Sequence, residues 1–167
     1  CGYDTNAAPT WQVATGNGSI NPEGRFTAGT LAETVIVEAS VGSTTQTAEV
    51  VVTPAAPVQL TITPDEISLT VDTRQAFTVE AVDQFNNRWT PTNVVWAVAD
   101  ENGVFSAEDG PNQSGPVGSI NDEGTLRTGE SAQRYLRSVK ASLEDRTAFA
   151  DVYLNPDVPA TVTINPS

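Results

Sequence analysis

Apolar and polar side chains alternate with a period of two in several segments of this chain. Val58, Leu60 and Ile62 fall on one side of an extended segment, with Gln59, Thr61 and Thr63 on the other. Successive strand side chains point to opposite faces, so this pattern describes a strand with one buried face. The alternation recurs through Phe149 and Ala150 to Leu154. Strands are predicted near 58–63, 67–71, 75–82, 93–99, 117–121, 124–128, 134–142 and 147–154. Turns rich in Gly, Asn and Asp separate them, such as Asn121-Asp-Glu-Gly124 and Asn102-Gly103. No window repeats every ~3.6 residues, as a helix would. At the centre, a valine-rich strand from Phe77 to Val82 enters the polar turn Asp83-Gln-Phe-Asn-Asn87, and the chain returns as Val94-Val-Trp-Ala-Val98. Trp96 is then the large anchor expected between the sheets of an all-β sandwich.

The pattern also repeats on a longer scale. Trp11-Gln-Val-Ala matches Trp96-Ala-Val-Ala, and the twelve residues from Gly18 to Gly29 match those from Gly118 to Gly129. Ala39 to Pro54 matches Ala141 to Pro156 without a gap, and Pro57 to Pro64 matches Pro159 to Pro166. The period, about 100 residues, is the size of one small sandwich. Three segments follow: an incomplete sandwich over 1–54, a complete one over 57–156, and a linker with an orphan first strand over 157–167. The joints Thr53-Pro-Ala-Ala-Pro57 and Asn155-Pro-Asp-Val-Pro159 are short and proline-stiffened. The second unit carries an extra polar loop, 102–117, a place where binding functions are commonly grafted.

In order and spacing, these residues resemble the bacterial Ig-like repeats of invasin- and intimin-type surface proteins. The resemblance is carried by Leu60-Thr-Ile-Thr-Pro64, Val79-Glu-Ala-Val-Asp-Gln-Phe-Asn-Asn87, Val94-Val-Trp96, Gly124-Thr-Leu-Arg-Thr-Gly129 and Ala150-Asp-Val-Tyr-Leu154. It implies tandem Ig-like sandwiches acting as rigid rods, adhesion modules or spacers in an exported bacterial protein. The chain departs from the family where its first unit lacks a front.

Composition narrows the function classes. A net charge of −13 over 167 residues repels nucleic acid and anionic lipid. It suits an extracellular or cell-surface protein. There is no run of 18 apolar residues to cross a membrane. Met is absent, so a processed chain is expected. Cys1 is the only cysteine, which excludes an internal disulfide. Followed by Gly2, it looks like the first residue of a mature lipoprotein, whose lipid would be the only route to a membrane; an intermolecular disulfide is the other option. There is no His and one Lys, Lys140, and no Gly-x-Ser-x-Gly, catalytic triad or phosphate loop. No enzymatic activity and no obligatory cofactor are expected.

The remaining candidates concern binding. Acidic turns at Asp83, Asp100-Glu101, Glu108-Asp109 and Asp122-Glu123 could offer oxygens to Ca²⁺, with Asp83 and Asn86 the most plausible seed. Trp89 and Phe85, near a turn, are candidates for sugar stacking in a carbohydrate-binding accessory module; Trp11 and Trp96 are expected in the core. Arg127, Arg134, Arg137, Lys140 and Arg146 gather five of the eight cations, where the first unit carries Glu33 and Glu38. They are either surface variation or charge complementarity between unlike units. The broken repeat gives the sharpest expectation. The second unit has 39 residues before its Trp, Pro57 to Val95, and the first has ten. The orphan strand Thr161-Val162-Thr163-Ile164 of one copy is therefore expected to enter the incomplete unit of the next, joining copies head-to-tail. A spacer or adhesion segment of a longer surface protein is the alternative.

Overall fold

The computed structural model of the protein describes residues 8–105 and 114–157. Every regular element among them is a strand. Two compact units emerge: Cys1–Ala56 with Asp83–Arg88, and Pro57–Val82 with Trp89–Ser167.

The first unit contains β1 (Thr10–Thr15), β2 (Gly18–Ile20), β3 (Phe26–Ala28), β4 (Thr34–Val41) and β5 (Thr44–Val51). These form a three-stranded sheet, β1-β4-β5, and a separate β2-β3 hairpin. Among its described residues, the buried apolar side chains are Val35 and Val37, both on β4. Trp11, Val13, Ile20 and Phe26 are only half-buried, and β5 is exposed on both faces from Thr44 to Glu49.

The second unit contains β6 (Pro57–Thr63), β7 (Glu66–Thr70), β8 (Arg74–Ala76), β9 (Thr78–Asp83), β10 (Arg88–Trp89) and β11 (Val95–Val98). It continues with β12 (Ser114–Gly115), β13 (Gly118–Ile120), β14 (Thr125–Thr128), β15 (Arg134–Leu143) and β16 (Arg146–Asn155). The sheets are β11-β15-β16-β7, β12-β13-β14-β8 and β10-β9-β6. Alternation fixes the inward faces. Ala148, Ala150, Val152 and Leu154 of β16 are buried, with Phe149, Asp151 and Tyr153 between them turned outward. These residues meet Ile62, Val79, Trp96, Ile120, Leu126 and Val139 in one core. Packing a face of this kind is the main favourable term in folding. All ladders for which a register is defined are antiparallel except β16 with β7, which run parallel.

Two features differ from the sequence expectation. The strand predicted over 75–82 is two strands, β8 and β9, in different sheets. It breaks at Phe77, whose N–H donates to the Gly124 carbonyl at 2.8 Å. The chain stays extended on both sides of the switch, so alternation alone does not reveal it. The predicted 134–142 strand is also not regular. Val35 and Val37 of β4 face Val50 and Ala48, whereas Tyr135 and Val139 of β15 face Val152 and Ala150. Two extra residues are thus bulged out, with Arg137 at φ 47 and Leu136 56% exposed. The insertion lies in a stretch where the repeats differ in length, Gly129 to Ala141 against Gly29 to Ala39.

Candidate functional site

Among the described residues the same turn is built four times. In Asn21–Arg25, Asn121–Thr125, Asp83–Asn87 and Asp100–Val104, the first N–H donates to the fifth carbonyl and the fourth N–H to the first carbonyl. The first side chain accepts from the fifth N–H, at 2.7–2.9 Å. Position four always has positive φ: Gly24 (81), Gly124 (76), Asn86 (68) and Gly103 (76). Only Gly and, less easily, Asn adopt that conformation without strain, and Asn or Asp at position one supplies the short acceptor.

The two copies of this turn that begin with Asn, at Asn21 and Asn121, seat the tryptophans. A Cβ on Gly124 would lie 2.6 Å from Cζ2 of Trp96, and one on Gly24 would lie 2.8 Å from Cε2 of Trp11. Glycine is required here as much for the close approach of the indole as for its φ. Trp96 is 6% exposed, with the Phe77 ring 6.4 Å away. Trp11 is half-buried. The missing neighbour explains the difference, because Phe77 belongs to a part of the repeat that has no described counterpart in the first unit.

Strand edges follow the same comparison. In the second unit, β16 is covered by β7 and β14 by β8. Their counterparts β5 and β3 carry no strand on those sides among the described residues. Particular groups are involved. Asp151 N–H donates to the Asp65 carbonyl (2.8 Å), and the carbonyls of Asn155, Gly129 and Gly124 accept from Val71, Asp72 and Phe77. The corresponding groups of the first unit are Glu49 N–H and the carbonyls of Thr53, Gly29 and Gly24. On the inner face, Val152 and Leu154 are 0% and 3% exposed, whereas Val50 and Val52 are half-buried. Exposed apolar residues beside an unpaired ladder edge make a template for strand addition.

The sequence-predicted site residues fall as follows. Asp83 is 2% exposed. Its Oδ1 accepts from the N–H groups of Phe85 and Asn87, and its Oδ2 from Ala55 N–H and the Asn87 amide, all within 2.8–2.9 Å. Asn87 also donates to Thr30 O and accepts from Ala32 N–H. A shell of four N–H donors has the polarity that holds an anion, opposite to what a cation requires. Burial opposes ionisation of Asp83, but the Asn87 amide and the N–H groups of Ala55, Asn87 and Phe85 outweigh it and keep the carboxyl below its ordinary pKa. Asn86 supplies the positive φ. Among the described residues, no group of three or more His, Cys, Asp or Glu could hold a metal ion. Trp89 is half-buried in β10 and Phe85 is 45% exposed.

Asp83→Asn tests the shell. One carboxylate oxygen becomes an NH₂ group facing N–H donors, so a lower melting temperature is expected at pH 7. A carboxyl with a depressed folded-state pKa stabilises above its unfolded pKa, and loses that effect as pH falls through the folded value. The gap between the two proteins should therefore close in acid. Coincident melts at neutral pH would refute this role.

The cations are engaged inside the second unit. Arg134 lies over Tyr153, Arg137 over Phe149 at 4.0 Å, and Lys140 over Phe105. Arg127 pairs with Asp72 at 2.9 Å, an exposed pair of small energetic weight. Arg146 donates to the Pro57 carbonyl. In the first unit, Glu33 accepts from Asn17 and Glu38 from Gln12. The alternation of Phe149 and Tyr153 was visible in the sequence; their pairing with Arg137 and Arg134 required the structure. Cys1, Glu108-Asp109 and Thr161–Ile164 lie outside the described residues.

No family model and no curated protein matches the chain. Among solved structures, it aligns with domains 1–6 of the surface layer protein SbsC at TM-score 0.48 and 16% identity, over 94% of this chain and 22% of that one. The alignment with SbsC domains 4 and 5 has a TM-score of 0.45 and 15% identity, over 91% and 74% of the respective chains. The chain thus spans about a fifth of the longer SbsC structure.

Proposed function

We propose that this chain is a non-enzymatic structural protein of a bacterial cell surface, built from tandem sandwich repeats and joined to further copies head-to-tail through its incomplete first unit. The observation that carries this is the edge of β5 and β3, bare among the described residues, beside half-buried Trp11, Val50 and Val52, where the second unit has strands. The acidic composition fits an exported protein. Thr161–Ile164 is the donor by repeat equivalence. It corresponds to Gln59–Ile62 of β6, so Val162 and Ile164 take the places of Leu60 and Ile62. Ile62 is 3% exposed and packs into the core over β15 and β16, so the donated strand would cover the apolar face of β4 and β5.

Deleting Pro159–Ser167 is expected to leave the second unit folded and to abolish polymerisation, read by sedimentation and electron microscopy. Equal assembly of the truncated and full chains would refute donation by this segment. The alternative, a spacer or adhesion segment of a longer surface protein, uses the same bare edges. Intact mass of the native protein separates the two: a mature chain ending near Ser167 supports the subunit and a much longer one the spacer.

A further inference from the structure

We propose that the second unit binds a carboxylate group between Arg74 and Arg127, on the outer face of the β12-β13-β14-β8 sheet. Arg127 of β14 stands directly opposite Arg74 of β8, and Ser119 of β13 stands opposite Arg127 on its other side. Alternation turns this row outward, because Ile120 and Leu126, at the neighbouring positions, are buried in the core. Like charges directly opposite one another destabilise a sheet. The chain holds 21 acids and only eight cations, yet two of those cations are set side by side.

The surroundings of the pair suit an anion. Arg74 and Arg127 line a cavity of about 210 Å³ together with Ser119, Ile120, Asn121 and Thr125. Arg127 donates through Nε and Nη2 to one oxygen of Asp72. Arg74 has no hydrogen bond or ion pair among the described residues. Two guanidiniums and one carboxylate leave a single positive charge, which one further carboxylate neutralises. The planar fork of Arg74 matches a carboxylate in bidentate geometry. The hydroxyls of Ser119 and Thr125 are donors of the right type beside it. The cavity exceeds a bare carboxylate, so the carbons that bear the group enter with it. The ligand is therefore an acidic side chain or a small organic acid. The first unit does not repeat the device: its hairpin pairs Ser19 with Thr27, at the positions of Ser119 and Arg127. Strand donation plays no part in this site.

The test is an NMR titration of the full chain with the α-amide of N-acetylglutamate, whose only charge is its side-chain carboxylate. The amides of Arg74, Ser119 and Arg127 should shift saturably, while those of Ser19 and Thr27 stay in place. Arg74→Gln should weaken binding about tenfold, the loss of one charged hydrogen-bonding partner. Asp72→Asn should tighten it about threefold, because it frees Arg127 from an exposed competing carboxylate. Asn tolerates the φ of 54 at that position, so this variant keeps the fold. Concentrating the protein alone separates the two sources of the carboxylate. Shifts at the same amides identify an acidic side chain of another copy, and an unchanged spectrum identifies a free acid. The proposal is overturned by the absence of a saturable shift, by equal shifts from sodium chloride at matched ionic strength, by unchanged affinity in Arg74→Gln, or by weaker binding in Asp72→Asn.

Discussion

Trp96→Ala is expected to unfold the second unit at moderate temperature. Cutting a buried aromatic to alanine costs about 3–5 kcal/mol, against a total domain stability of about 5–15 kcal/mol. Trp96 is 6% exposed, touches the Gly124 turn and lies beside Phe77, so its loss leaves a hole lined by residues from several strands. Trp11→Ala should cost much less, since that ring is half-exposed. Chemical denaturation followed by circular dichroism checks both. Equal losses at the two positions would mean that the two units are equally complete, against the account given above.

The second large effect is expected at Gly124. Its φ is +76, and an added Cβ would meet the Trp96 ring at 2.6 Å and the Phe77 carbonyl oxygen at 2.9 Å. The left-handed conformation costs an L-residue about 1–2 kcal/mol. Overpacking a rigid site adds about 1–3 kcal/mol. The carbonyl belongs to backbone at the junction of β8 and β9, so it cannot give way. Gly24→Ala carries a similar backbone cost at φ +81, but the nearest atoms to its new methyl group all belong to the half-exposed Trp11 ring, which can tilt. Gly124→Ala should therefore lower the melting temperature of its unit by more than Gly24→Ala lowers that of the first. The opposite order would show that the Trp11 seat is the tighter of the two.

The all-β class was legible because alternation at Val58–Thr63 and Phe149–Leu154 reports burial on one face directly. The repeat was legible because turns need particular residues: Gly24 and Gly124 sit at matching positions for a shared steric reason. Three things were not legible. The sheet switch at Phe77 leaves the extended pattern intact. The bulge at Leu136–Arg137 shows in sequence only as a difference in length between repeats. The use of Asp83 depends on N–H groups from Ala55 and Asn87, and an acidic residue in a turn looks the same whether N–H donors or a cation surround it. The orphan strand Thr161–Ile164 matches β6 in sequence. That β6 covers a face, and that β7 and β8 close the edges, follows only from the pairing.

Residue-resolved amide exchange at Glu49 and Asp151 tests the central claim most directly. These are equivalent positions in the two units, and Asp151 N–H is bonded to Asp65 O at 2.8 Å. In dilute, unassembled protein, Glu49 should exchange quickly and Asp151 slowly. On assembly, Glu49 should become protected while Asp151 stays as it was. Protection of Glu49 equal to that of Asp151 in the dilute chain, or no change at Glu49 on assembly, would contradict an open edge that recruits a strand.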